Sequence, residues 1–273
     1  MFGTLKHHPD FASRLVAPRH VDVWLPPSYE EATSEAFPVV YMQDGQNLFT
    51  PQTSFLGIDW GIDEAMARLC AEQRARAAIV VGIWNTPQRG QEYMPQRALA
   101  LVIPTRQEPR QSAPVPARKP LSDQYLQFLV TELKPFIDAH YRTLPDRADT
   151  FIMGSSMGGL ISLYAVCEYP HMFAGAGCLS SHWPARGGVM VAYLEQALPA
   201  AGSHRLYFDY GTRTTDALYR PYQEQIDQLM QAKGYTKGTD WLTLKFEGAE
   251  HSERAWRERV HLPLEFLLGK KRV

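Results

Sequence analysis

Short, nearly continuous apolar runs recur along this chain, and helical patterns fill the intervals between them. "PVVYMQD" (38–44), "AAIVVGIW" (77–84), "TFIMGS" (150–155), "GAGCLSS" (175–181), "RLYFDYG" (205–211) and "LTLKFEG" (242–248) have the length of strands. Runs of this kind belong to strands covered on both faces. "HVDVWLPP" (20–27) alternates apolar and polar residues before its prolines, which predicts an edge strand. "ALALVIP" (98–104) reads as a further strand. In "DALYRPYQEQIDQLMQAKG" (216–234), Leu218, Tyr222, Ile226 and Leu229 fall at helical spacing, with Gly234 as the expected C-cap.

Strands separated by helices require crossover connections, and crossovers produce parallel pairs. The expected architecture is therefore α/β, a mostly parallel, doubly wound sheet with helices on both faces. No internal repeat or second compositional regime divides the chain, so residues 1–273 are expected to form one domain. One segment stands apart. "PTRQEPRQSAPVPARKP" (104–120) carries five prolines and no periodicity, and reads as an insertion loop, either a binding loop or one without a role.

Bulk properties exclude several classes of function. The formal net charge of −1, without long blocks of one sign, carries no nucleic-acid or membrane footprint. No apolar run reaches the roughly 18 residues of a membrane span. The first residues, "MFGTLKHHPDFASRL", have no apolar core of a signal peptide. Cys70, Cys167 and Cys178 are scattered without metal-ligand spacing, and no metal is expected; no cofactor is expected either. Reduced thiols and the absence of a leader point to the cytoplasm.

The chemistry is concentrated in "FIMGSSMGGL" (151–160). Gly154-Ser155-Ser156-Met157-Gly158 fits G-x-S-x-G in one register, with Ser156 at its centre. A strand precedes the motif and a helical pattern follows it. That context suits a nucleophile on a strained strand-to-helix turn, where flanking glycines relieve crowding. The plain alternative is a small-residue turn that eases packing.

A serine hydroxyl needs a base, and in this motif's setting the chain order is Ser, acid, His. "KFEGAEHSERAW" places His251 between a strand and a helix. His182, in "LSSHWP", is its rival. "LYFDYGTRTTDALY" offers Asp216, past the turn, or Asp209, inside the strand; position favours Asp216, which could also be a simple N-cap. The backbone N–H of Met157 should supply one oxyanion donor. Gln46, after the strand in "YMQDGQNLF", should supply the other unless that segment is only a turn.

With these residues in place, the chain resembles the putative esterase family of α/β-hydrolases, which includes S-formylglutathione hydrolases, feruloyl and acetyl-xylan esterases, enterochelin esterases and mycolyl acyltransferases. The likeness runs through "VWLPPSY", "PVVYMQDGQNLF", "VVGIWN", "RGQEYMP", "YLQFLVTELKPFIDAHYRT", "GSSMGGL" and "GAEHSERAW". It implies Ser156 as nucleophile, His251 as base and the residue after the Gly-Thr turn as acid. That turn is longer here than in many members.

Three functions follow as expectations. The first is a metal-independent serine carboxylesterase with a small-molecule ester substrate and an acyl-enzyme intermediate. The second is an acyltransferase using the same triad, and the third a non-catalytic binding protein on the same fold. Arg89, Glu92 and Tyr93 follow a strand end and are candidates for the substrate pocket, with an arginine–carboxylate pair as the structural alternative. His182 and Trp183 are candidates by position, and Trp60, Trp84 and Trp183 could form an aromatic platform or simply pack.

Overall fold

The computed structural model describes residues 2–31, 34–101 and 119–269. Its strands are β1 (Thr4–Phe11), β2 (Arg19–Leu25), β3 (Val39–Gln43), β4 (Ile79–Ile83), β5 (Thr150–Ser155), β6 (Gly175–Leu179), β7 (Arg205–Gly211) and β8 (Trp241–Phe246). The helices are α1 (Ser28–Glu31), α2 (Ile62–Ala71), α3 (Arg89–Glu92), α4 (Gln96–Ala100), α5 (Ser122–Phe128), α6 (Lys134–His140), α7 (Met157–Glu168), α8 (Val189–Ala197), α9 (Arg220–Ala232), α10 (Glu253–Arg259) and α11 (His261–Leu268). All these strands join one sheet in the order β1-β2-β4-β3-β5-β6-β7-β8. β2 pairs antiparallel with β1 and β4; every other neighbouring pair is parallel. This is the α/β-hydrolase architecture, with an antiparallel margin on a doubly wound sheet.

The continuous apolar runs have a direct cause. Successive side chains of a strand point to opposite faces, and both faces here are covered. Val39 and Tyr41 enter one core, and Val40 and Met42 enter the other. The first core lies under α5, α6, α7, α8 and α9, which contribute Tyr125, Ile137, Leu163, Leu194 and Ile226. The second lies under α2 and α11, through Met66, Leu69, Leu264 and Leu268. α7 is therefore apolar nearly all round, because it is sandwiched rather than half exposed.

Several sequence expectations are corrected. The run at 20–27 is β2, which is paired on both sides rather than at the edge. The edge on that side is β1, "TLKHHPDF", whose polar composition hid it; the positive φ of Asp10 and a register shift between His8 and Phe11 break its pairing. Of the run at 98–104, the described part is helical: α4 ends at Ala100 and buries Ala98. Leu218 is exposed and precedes α9, whose buried residues are Gln223, Ile226 and Met230. The insertion at 104–120 lies outside the described residues apart from its last two positions. Among the described residues, no helix is long and apolar enough to cross a membrane.

Candidate active site

The parallel strands end at one edge of the sheet, and the candidate residues follow those ends. Ligand sites in open α/β sheets lie at such an edge. β5 stops at Ser155 and α7 starts at Met157, leaving Ser156 alone on the bend with φ 56° and ψ −121°. A non-glycine residue there is strained, and the surroundings hold it in place. The Ser156 N–H donates to the Leu179 carbonyl at 2.9 Å, while the Ser156 carbonyl accepts from the His182 and Gly159 N–H groups. The glycines permit close approach. A Cβ on Gly154 would lie 2.7 Å from the Gly158 carbonyl carbon and 2.9 Å from Gln43 Cβ. Ser155 is buried inside the strand, whereas Ser156 reaches the crevice.

His251, after β8, meets Ser156 from the far side: its Nε2 is 3.0 Å from Ser156 Oγ. Its Nδ1 is 2.6 Å from Asp216 Oδ1. A carboxylate only accepts, so Nδ1 carries the proton and Nε2 is left to accept from the serine hydroxyl. Burial pushes the Asp216 carboxyl up, but hydrogen bonds from His251, Ser180 and the Gly211 N–H outweigh it and hold the group below the usual aspartate range. The loops bearing acid and base are tied together. The Ala249 carbonyl accepts from the Thr212 and Arg213 N–H groups, and the His251 N–H donates to Thr214 Oγ1 at 2.8 Å.

Asp209 has another partner. Fully buried on β7, it faces Arg259, whose Nε and terminal nitrogen lie 3.2 and 3.1 Å from its two oxygens.

The Met157 amide is in the first turn of α7, where N–H groups have no acceptor farther back in the helix. The Gln46 amide lies in the 3₁₀ turn Gly45–Asn47, and neither amide donates to a protein acceptor among the described residues. This turn packs closely on β4: a Cβ on Gly45 would overlap the Gly82 backbone. The end of β3 also reaches α7, since a Cβ on Gly158 would meet Gln43 Cβ at 3.1 Å.

The substrate candidates divide. His182 is partly exposed beside the nucleophile, with Nδ1 2.8 Å from the Tyr219 hydroxyl. Burial, then the charges of His251 and Arg89, lower its pKa, so its ring is neutral near pH 7. Arg89 is partly exposed and makes a two-point bond to Asp44, with Nε and a terminal nitrogen each 2.7 Å from a different carboxylate oxygen.

Glu92, Tyr93 and Trp183 are fully buried and offer no surface to a ligand. Glu92 is held by Arg19 at 2.6 and 3.0 Å, the Tyr93 ring packs at a tilt against Tyr125, and the Trp183 indole donates to Gln223 Oε1. No tryptophan platform forms from these side chains: Trp60 is also buried, and the Trp84 indole donates to Asp22.

Sequence reasoning passed over Asp44 and Tyr219. Asp44 had a signal in the sequence, an aspartate directly before Gly45 at a strand end, and the structure holds it in the left-handed conformation. Tyr219, whose ring meets His251 edge-on at 5.7 Å, lies in a helical pattern that reads as packing.

Comparison with known proteins bears on the family and the fold. Residues 12–262 match the family described as "Putative esterase". A Bacillus subtilis (strain 168) protein, "Uncharacterized protein YbbA", is 27% identical over 261 residues, covering 93% of this chain and 94% of that protein. The Shigella flexneri enterobactin esterase FES, crystallised in the presence of 2,3-di-hydroxy-N-benzoyl-glycine, superposes over 96% of this chain with a TM-score of 0.69 at 19% identity. The chain spans 59% of that esterase's length. A ferulic acid esterase superposes with a TM-score of 0.68 at 20% identity, covering 98% of this chain and 97% of the other. The CE1 ferulic acid esterase AmCE1/Fae1A of the fungus Anaeromyces mucronatus gives 0.66 at 20% identity, over 98% and 90%.

Proposed function

Because the chain belongs to the Putative esterase family, a family of carboxylic ester hydrolases, we propose that it cleaves an acyl ester through Ser156, His251 and Asp216. The carrying observation is the continuous contact Ser156 Oγ–His251 Nε2–Asp216, at 3.0 and 2.6 Å, on the strained bend after β5. His251 takes the Ser156 proton while Oγ attacks the ester carbon. The negative charge that develops on the carbonyl oxygen faces the Met157 and Gln46 N–H groups. His251 then protonates the departing alcohol, leaving an acyl group on Ser156. Water repeats the sequence: His251 takes its proton, the hydroxyl attacks the acyl carbon, and the acid leaves as Ser156 recovers its hydrogen.

His182 and Arg89 are the side chains proposed to meet the substrate, since both keep exposed surface beside this centre. Residues 1–273 are read as one domain carrying this chemistry. The free cysteines support a cytoplasmic setting.

The test is a fluorophosphonate reaction followed by intact mass and peptide mapping, together with hydrolysis of a panel of aryl and alkyl esters. A phosphonyl adduct on Ser156, with ester turnover abolished, is expected. A chain that neither labels nor hydrolyses any ester in the panel overturns the proposal, and added alcohols reveal whether an acceptor other than water takes the acyl group.

A further inference from the structure

Ser180 lies just past β6 with φ 40°, an uncommon conformation for a serine. Its hydroxyl is buried among three polar partners. Ser180 Oγ is 2.6 Å from Asp216 Oδ2, 2.8 Å from a terminal nitrogen of Arg259 and 3.1 Å from Trp256 Nε1. An indole N–H and a guanidinium can only donate. A hydroxyl has two lone pairs and one hydrogen, so these two donors occupy both lone pairs. The hydrogen has a single remaining acceptor, Asp216 Oδ2.

Arg259 is itself fixed. Asp209 binds it through both oxygens, and Asp209 also accepts from the Tyr207 hydroxyl at 3.0 Å and the Ser180 N–H at 3.1 Å. Asp216 Oδ2 takes a second bond from the Gly211 N–H at 2.6 Å, which leaves Oδ1 for His251. Every partner in this buried group is satisfied, and such networks hold a single geometry. The group Arg259, Asp209 and Asp216 carries a formal charge of about −1 with the carboxylates ionised. Protonation of His251 brings the cluster to neutrality.

Resting on the proposed triad, we infer that Ser180 is a positioning residue: its hydroxyl, locked by Trp256 and Arg259, fixes the Asp216 carboxylate so that one oxygen faces His251. Ser180→Ala leaves Asp216 Oδ2 with one hydrogen bond, from the Gly211 N–H, and the Arg259 charge at 4.0 Å, so the carboxylate loses the hydroxyl that fixes its angle to the imidazole.

The experiment compares wild type, Ser180→Ala and Trp256→Phe, with Ser156→Ala and His251→Ala as references. It reads kcat and KM on one aryl ester, a thermal melt, and the deshielded proton NMR signal of the His251–Asp216 bond. Ser180→Ala should lower kcat about 10- to 100-fold with KM within about twofold, and shift or broaden that signal. Trp256→Phe frees one lone pair on the hydroxyl and should do the same to a lesser degree.

A folded Ser180→Ala with wild-type kcat and an unmoved signal overturns the inference. Should Ser180→Ala fail to fold, Trp256→Phe decides, and an unmoved signal with unchanged kcat again overturns it. Ester turnover surviving in Ser156→Ala would instead defeat the triad on which the inference rests.

Discussion

Ser156 and Ser155 are neighbours of the same chemical type, and backbone geometry separates them. Ser155 completes β5 and is buried, whereas Ser156 sits at positive φ with its hydroxyl on His251. Ser156→Ala is expected to cut ester turnover by on the order of a thousandfold or more, while Ser155→Ala keeps most of it, as steady-state rates would report. The two aspartates divide in the same way. Asp216→Asn offers an amide where His251 needs an acceptor, so kcat should fall about a hundred- to ten-thousandfold in a chain that still folds. Asp209→Asn removes the nearer of the two buried carboxylates facing Arg259, leaving Asp216 at 4.0 Å, which should cost on the order of 3 kcal/mol in a urea titration. A variant at Asp209 that melts like wild type yet is inactive would reverse these assignments.

The elements carry a different constraint, because acid and base come from separate loops whose spacing must be held. Gly211 closes β7 where the β8 loop passes over it, and a Cβ there would overlap the Ala249 carbonyl. Gly211→Ala should push apart the loops bearing Asp216 and His251. The expected outcome is a loss of kcat of about tenfold or more together with a lowered melting temperature. Wild-type rates and melting in that variant would show that the loops tolerate the separation.

Strand-to-loop transitions of this sort were readable from sequence for β3 through β7, because a strand covered on both faces must be apolar on both, and β8, partly buried at the far edge, kept enough apolar residues to be read as a strand. β1 was not readable, since an edge strand exposed to water follows no such rule. The segment "RGQEYMP" was legible as a loop after β4 but not in its contacts. Glu92 is bound by Arg19, 73 positions away in sequence, and no local pattern announces that pair.

For the molecule as a whole, the buried Asp216 links stability to pH. Its folded carboxyl titrates below the ordinary aspartate value of about 3.9, so the unfolded chain takes up the proton first as the solution is acidified. The stability it contributes is present above that value and lost as pH falls through the folded value beneath it. Urea midpoints of wild type and Asp216→Asn should therefore differ most near neutrality and converge below about pH 4. A gap that stays constant or widens with acidification would contradict the sign.

At the same scale, the chain's own order determined much of this protein. Apolar runs of strand length with helical patterns between them dictate a parallel sheet, and small residues around one serine dictate a bend that exposes it. These are short-range effects of backbone sterics and side-chain periodicity, so a few adjacent residues contain them. Tertiary structure alone decided which carboxylate meets His251, that Arg89 keeps an exposed edge while Tyr93 does not, and that Ser180, Trp256 and Arg259 converge on Asp216. Hydrogen bonds and charge pairs act over a few ångströms, and only the packed sheet brings residues 35 to 79 positions apart within that reach.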